Sequence, residues 1–244
     1  MLEVIKEIGD ILLKRSAPSK IEILIEDPNA NERYKNVFCL TFEEKEGKVS
    51  YIGIEREYYS SDKKIRYLFR SGPANGPNFT PSTKVTEIEK TISIKIIKWF
   101  EDVLSQKNLD LTTQEKEYLN QVYFEIRHHE KDIIEEYKNL SKELSKKEGG
   151  VFLTLKFRKE GKIEYLGDKE LFQKTLEKLV KIKEGKKGSN IGQCAICLEE
   201  KEVTIGDGIY TFYTIDKPGF IAGGFKEKEA WKNFPLCEDC RRSL

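Results

Sequence analysis

The chain is poor in what usually marks an enzyme. It has only two histidines, one methionine and two tryptophans in 244 residues. No Gly-x-x-x-x-Gly-Lys-Ser/Thr phosphate loop, His-Glu-x-x-His pair or Gly-x-Ser-x-Gly elbow occurs. Most of the acidic pairs, among them Glu43-Glu44, Glu135-Glu136 and Glu199-Glu200, fall in turns or on exposed helix faces, and none has the His or Asp partners that a metal-dependent nuclease uses. The two histidines, His128 and His129, are neighbours in a helical stretch. Adjacent helical positions diverge by about 100°, so the pair does not grip one ion. Bulk charge is missing too: 43 basic and 42 acidic residues leave +1, so any contact with nucleic acid must come from local patches. No apolar run is long enough to cross a bilayer. The opening stretch, Met1–Arg15, reads as an amphipathic helix interrupted by Glu3, Glu7 and Asp10 and not as a secretory leader, so a cytoplasmic protein is expected.

What is present begins with cysteine. Four of the five cysteines form two knuckles, Cys194-Ala-Ile-Cys197 and Cys237-Glu-Asp-Cys240. Two residues between cysteines let both sulfurs turn to one side of a tight loop, and two such loops supply the four corners of a tetrahedron that a structural zinc ion prefers. Such a site is closed to water, so zinc there would hold a fold and not do chemistry. A redox pair expects a thioredoxin-like setting, which is absent. Two disulfides would suit a secreted protein, and incidental cysteines are the remaining alternative. Cys39 stands apart and reads as a small buried side chain. This usage fits a reducing compartment.

Along the chain, Leu2–Leu13 has helical spacing in Val4, Ile5, Ile8, Ile11 and Leu12, and Pro18 is expected to end that helix. Ile21–Glu26, Asn36–Glu44, Val49–Glu55 and Ile65–Arg70 read as strands of an antiparallel meander, with a turn at Glu46-Gly47. In the second of these, Phe38, Leu40 and Phe42 share one face and Val37, Cys39 and Thr41 the other. Ser71–Thr86 carries three prolines and two glycines and forms an irregular loop. Its Asn75, Asn78, Thr80, Ser82, Thr83 and Lys84 are donors suited to phosphate or base edges, although such a loop can equally be a solvated connector. Two capping boxes, Thr86 with Glu89 and Thr112 with Glu115, open helices to about Gln106 and Lys146, together a helical hairpin. After Gly149-Gly150 come a strand Val151–Arg158, a Glu160-Gly161 turn, a strand Ile163–Leu166 and a helix capped by Asp168. Lys181–Asn190 reads as a basic linker. Between the knuckles, Ile209–Thr214 reads as a strand and Asp216-Lys217-Pro218-Gly219 as a turn. Trp231, Phe234 and Pro235 are expected around the second knuckle, with no room for a helix after Cys240. The expected class is α+β: a β-meander with a helical hairpin over residues 1–190, then a four-cysteine zinc-binding module over 191–244.

Several strings resemble one family. Gly76-Pro77-Asn78-Phe79-Thr80-Pro81-Ser82-Thr83-Lys84 followed by Lys98-Trp99-Phe100 is similar to the large-subunit family of type I-B CRISPR effector complexes (Cascade). So are Cys194-x-x-Cys197, Phe212-Tyr213-Thr214-x-Asp216-Lys217-Pro218-Gly219-Phe220 and Asn233-Phe234-Pro235-x-Cys237-x-x-Cys240. Members are longer, so the resemblance implies an N-terminal part with a helical C-terminal part beyond it. It implies a non-catalytic role in antiviral defence: recognition of the short motif beside the target (PAM), help in opening the duplex, and recruitment of a helicase–nuclease. Base pairing reads the target in such systems, and protein reads only the PAM and the backbone. The implied partners are guide RNA, target DNA and the other Cascade subunits, with no membrane. The four cysteines match the family's metal positions. Contact candidates are the Asn75–Lys84 loop and the turn carrying Lys217. Two other classes stay open from the residues alone: a zinc-containing nucleic-acid-processing enzyme and a structural protein-interaction module.

Overall fold

The computed structural model describes residues 2–16, 19–144, 149–186, 188–206 and 226–244. Two compact units divide the chain: Leu24–Lys178, and Met1–Ile23 together with Leu179–Leu244. The whole is mixed α+β.

In the larger unit the central strands are β1 (Asn36–Lys45) and β4 (Val151–Lys159). Seven consecutive residues of each, Asn36–Phe42 and Val151–Phe157, are buried on both faces. Such strands belong in the middle of a sheet, and these two pair in parallel. The edges are antiparallel: β2 (Lys48–Tyr58) lies beside β1, while β3 (Thr83–Lys84) and β5 (Lys162–Tyr165) share the far side of β4. Both hairpins turn on Glu-Gly. Glu46 and Gly47 have φ of 52° and 76°, Glu160 and Gly161 49° and 79°, the left-handed pair that matches strand twist.

The helical elements of this unit are α3 (Lys64–Tyr67), a run from α4 (Ile88–Lys90) through a π-helical stretch (Thr91–Ile97) into α5 (Lys98–Ser105), then α6 (Thr113–His128) and α7 (Glu130–Lys142). They follow two short N-terminal helices, α1 (Leu2–Ser16) and α2 (Lys20–Leu24). One face of the sheet is aromatic. Phe42 stacks on Phe157 at 5.6 Å, Phe157 on Phe172 at 6.1 Å, and Phe38 meets Tyr137 edge-on at 5.4 Å. The opposite face holds Val37, Cys39, Tyr67, Phe69, Phe152 and Tyr165. Cys39 is fully buried there, as its setting in β1 predicts.

The free edge of β2 is covered by side chains. Gln121, Glu125 and Glu136 accept from the amides of Val49, Tyr51 and Ile54 at 2.8–2.9 Å, and Tyr51 Oη also donates to Glu136. A bulge, where the register slips between Thr41 and Phe42, moves the last of these amides into line. An open strand edge invites pairing with another chain, and these three side chains close it.

Several local expectations differ from the structure. The sheet is not a plain meander, because β4 returns in parallel beside β1. Ile21–Glu26 is not a strand: Lys20–Leu24 is helical, Ser19 Oγ accepts from the Glu22 amide at 3.1 Å, and Ile21 and Ile25, one helical turn apart, are both buried. Ile65–Arg70 is not a strand either. Lys64–Tyr67 is helical, and Leu68, with a φ of 44°, leaves the extended region. Thr112 and Glu115 form their capping box, but Thr86 and Glu89 do not: Glu87 is the N-cap, and Glu89 pairs with Lys138 at 2.5 Å. The second long helix breaks at His129 (φ −97°, ψ 17°), whose Nδ1 lies 2.9 Å from Asp132. Asp168 grips the Arg66 guanidinium at 2.6 Å and the Tyr165 amide at 2.8 Å instead of capping the next helix.

That helix, α8 (Glu170–Lys186), runs through most of the expected basic linker. The smaller unit then forms an antiparallel sheet of β6 (Ser189–Gln193), β7 (Glu200–Ile205) and β8 (Pro235–Cys237). A helix does leave the second knuckle: α9 (Glu238–Ser243) fits within the last residues. The expected strand Ile209–Thr214, the turn with Lys217 and the helix stop at Pro18 lie outside the described residues.

Candidate functional site

Both knuckles are set by the small sheet. The first occupies the β6–β7 connection, where the Cys194 amide donates to the Glu199 carbonyl at 3.0 Å and the Leu198 amide returns to the Cys194 carbonyl at 3.0 Å. The second sits where β8 passes into α9. The Ala195 amide donates to the Pro235 carbonyl at 2.8 Å and locks one knuckle to the other. Val203, directly opposite Cys237, is fully buried with Leu236 and Ile196 around the sulfurs, and Trp231 and Phe234 pack on the outside as expected.

The four Sγ atoms lie within 4.8 Å of one another, with Cys197 and Cys237 at 3.9 Å. Sulfurs about 2.3 Å from a tetrahedral ion are about 3.8 Å apart, so the donor set fits an ion of the zinc type. Cys194, Cys237 and Cys240 are buried and Cys197 is half-buried. Burial works to raise the Cys194 thiol, but amides of Cys237, Cys197 and Ile196 donating to its sulfur outweigh it and bring it to about 6. The Cys237 amide makes this bond at 3.4 Å. Burial raises Cys237, and burial together with the neighbouring sulfurs raises Cys240. One thiolate is thus prepared in advance, and a divalent cation is what would let the others ionise beside it. Four thiolates leave a tetrahedral ion no open position, so the arrangement can hold structure but offers no place for a substrate.

Sequence reasoning missed two cations beside this cluster. Lys201 on β7 pairs with Glu199 at 2.5 Å and Asp239 at 3.6 Å and lies within electrostatic range of the Cys237 and Cys197 sulfurs. Lys6 on α1 pairs with Asp10 at 2.6 Å and lies within electrostatic range of the Cys240 and Cys197 sulfurs. The available signal was Gly9, a glycine inside an otherwise good helix, which often marks close packing.

The proline-rich loop is a built structure, not a solvated connector. Trp99 Nε1 donates to the Phe79 carbonyl at 3.1 Å, and Lys95 Nζ donates to the carbonyls of Pro73 and Gly76 at 2.8 and 2.6 Å. Its polar side chains divide into two sets. Asn78 is buried and bridges the Gly72 amide and the Ser82 carbonyl at 3.0 and 2.8 Å. Ser82 is buried against the Tyr67 carbonyl at 2.8 Å and beside Thr154. Thr80 and Thr83 are buried too, Thr83 donating to the Lys84 carbonyl at 3.2 Å. These four side chains are turned inward; Asn78, Ser82 and Thr83 bond to backbone there, while the Thr80 hydroxyl is buried without a hydrogen-bond partner. Asn75 is exposed at the tip, and half-buried Lys84 lies over the rings of Tyr34 and Phe69 at 5.1 and 5.6 Å. Among the described helices, none is long and apolar enough to cross a membrane.

Two family models match the chain. Residues 1–178 match the N-terminal domain of the CRISPR-associated protein TM1802 family, and residues 191–244 match its central domain. No curated protein and no solved structure matches.

Proposed function

The chain belongs to the CRISPR-associated TM1802 family, and from that premise we propose that it acts as a non-catalytic large subunit of a type I-B RNA-guided DNA surveillance complex. The observation that supports this reading most is the pairing of two consecutive family domains with a closed four-cysteine cluster, which has no position for chemistry. Cys194, Cys197, Cys237 and Cys240 hold a structural zinc ion. In sequence the organisation is an α+β N-terminal domain over 1–190 and a zinc-binding module over 191–244, with Met1–Ile23 clustering with the module in space. The partners are guide RNA, target DNA, the other subunits of the complex, and a helicase–nuclease recruited once the target is bound. The setting is the cytoplasm.

Within this reading the loop meets the target duplex beside the guide-paired segment. Lys84, lying over two aromatic rings, supplies a positive charge to the phosphate backbone, and Asn75 at the tip supplies amide donors and an acceptor to base edges. Asn78, Ser82 and Thr83 keep the loop in shape. Lys217 remains a second contact candidate.

The test is target binding by the reconstituted complex across a salt series. Lys84→Glu is expected to weaken binding about tenfold for every target sequence and to lower the salt slope by about 1. Asn75→Ala is expected to relax the preference for the motif beside the target with little change in the slope. Binding that ignores salt and both substitutions, or DNA cleavage by the subunit itself, would sink the proposal.

A further inference from the structure

The N-terminal helix is built onto α9 of the cysteine module, more than two hundred residues away in sequence. Its packing face is not the apolar one: Val4, Ile8, Ile11 and Leu12 are exposed, while Leu2, Lys6, Gly9, Asp10 and Leu13 are half-buried. Gly9 lies against the end of α9 so closely that a Cβ there would fall on the Ser243 carbonyl. Asp10 accepts from the Ser243 hydroxyl, and Ser243 lies three residues after Cys240. Leu2 packs against the buried cluster that Cys194, Cys237 and Cys240 share with Ile196, Val203 and Leu236.

Charge points the same way. Four thiolates around a divalent ion carry a net charge of about −2, and a buried charge of that size needs compensation. The cluster has a lysine from each of two elements: Lys201 from β7 and Lys6 from α1. Both are tethered by carboxylates, Lys201 by Glu199 and Asp239, Lys6 by Asp10.

We propose that α1 is the outer shell of the metal centre: docked on α9 through Gly9 and Asp10, it lays Leu2 against the buried cluster that contains the cysteines and brings the Lys6 ammonium within electrostatic range of it, so that helix docking and metal retention are coupled. This rests on the cysteines being a metal site. Coupling is reciprocal by thermodynamic necessity: metal favours the docked helix by as much as the docked helix favours metal. Lys6 and Gly9 are positioning residues, since neither is a ligand.

Gly9→Ala makes the decisive variant. Alanine improves an isolated helix, so any loosening must come from the Cβ meeting Ser243. In the full chain loaded with zinc, Gly9→Ala is expected to speed zinc release to a colorimetric chelator about tenfold, at the low end for changes around metal ligands. Lys6→Gln is expected to speed it about threefold, and Lys174→Gln, on the other unit, not at all. Stripping the metal is expected to raise hydrogen exchange across Leu2–Ser16 while β1 and β4 keep their protection. Wild-type release rates in both variants, or exchange in α1 that ignores the metal, would overturn the proposal. A wild-type chain without metal by elemental analysis defeats the zinc reading separately. The docked shell is then judged by cysteine alkylation with iodoacetamide: faster alkylation in Gly9→Ala sustains it, and equal rates overturn it.

Discussion

The two units of the chain solve the same problem with different materials. The larger carries its own apolar core: two strands buried on both faces, aromatic rings stacked across one side, and helices over them. In the smaller, three of the six buried members of the main cluster are cysteines, and the rest are Ile196, Val203 and Leu236. So small a set of aliphatic side chains supplies little hydrophobic stabilisation, whereas structural zinc contributes about 10–16 kcal/mol in isolated modules. The difference teaches where each unit is vulnerable: the larger to cavities and, with an ion held by the four cysteines as proposed, the smaller to loss of its sulfurs.

The largest expected effect follows. Cys194→Ser/Cys197→Ser removes half the donor set, and the smaller unit should lose its metal and its resistance to proteolysis. The melting of Leu24–Lys178 should stay within about 0.5 kcal/mol of wild type. Metal content, limited proteolysis and calorimetry together read this out. A smaller unit that stays protected without metal would erase the contrast between the units. The converse cut comes from Phe157→Ala, which removes a fully buried ring stacked between Phe42 and Phe172. It should cost about 3–5 kcal/mol in the larger unit and leave metal stoichiometry untouched. Loss of metal in that variant would show the units to be one cooperative body.

What could be read ahead of the structure was local. The Glu-Gly turns were legible because left-handed backbone pairs need a glycine, and the Thr112–Glu115 box because both partners lie within one turn. The cysteine cluster was legible because spacing alone aims two sulfurs the same way. What failed was long-range or ambiguous. The continuous burial of Val151–Phe157 gives no hint that its neighbour is β1, over a hundred residues earlier. Ile21 and Ile25 satisfy both an alternating and a helical period. The inward turn of Asn78 and Ser82 depends on carbonyls that the fold supplies from elsewhere, and α1 packs by its glycine face while its apolar stripe stays exposed.

The smallest expected effect sharpens the comparison within the backbone. Both units place long side chains in left-handed conformation: Glu46 and Glu160 in the hairpins of the larger, Leu198 with a φ of 60° in the first cysteine knuckle of the smaller. Leu198 is 63% exposed, so its side chain contributes little burial to offset the steric cost of about 1–2 kcal/mol. Glycine would remove that cost and give back part of the gain, about 0.5–1 kcal/mol, through the greater freedom of the unfolded chain. Leu198→Gly should therefore stabilise the smaller unit by about 0.5–1 kcal/mol and leave metal stoichiometry unchanged. Leu198→Val, with a branch at Cβ, should lower stability instead. Chelator-induced unfolding of the three proteins gives the order. Equal stability in all three would mean that metal coordination, and not backbone preference, sets the knuckle's conformation.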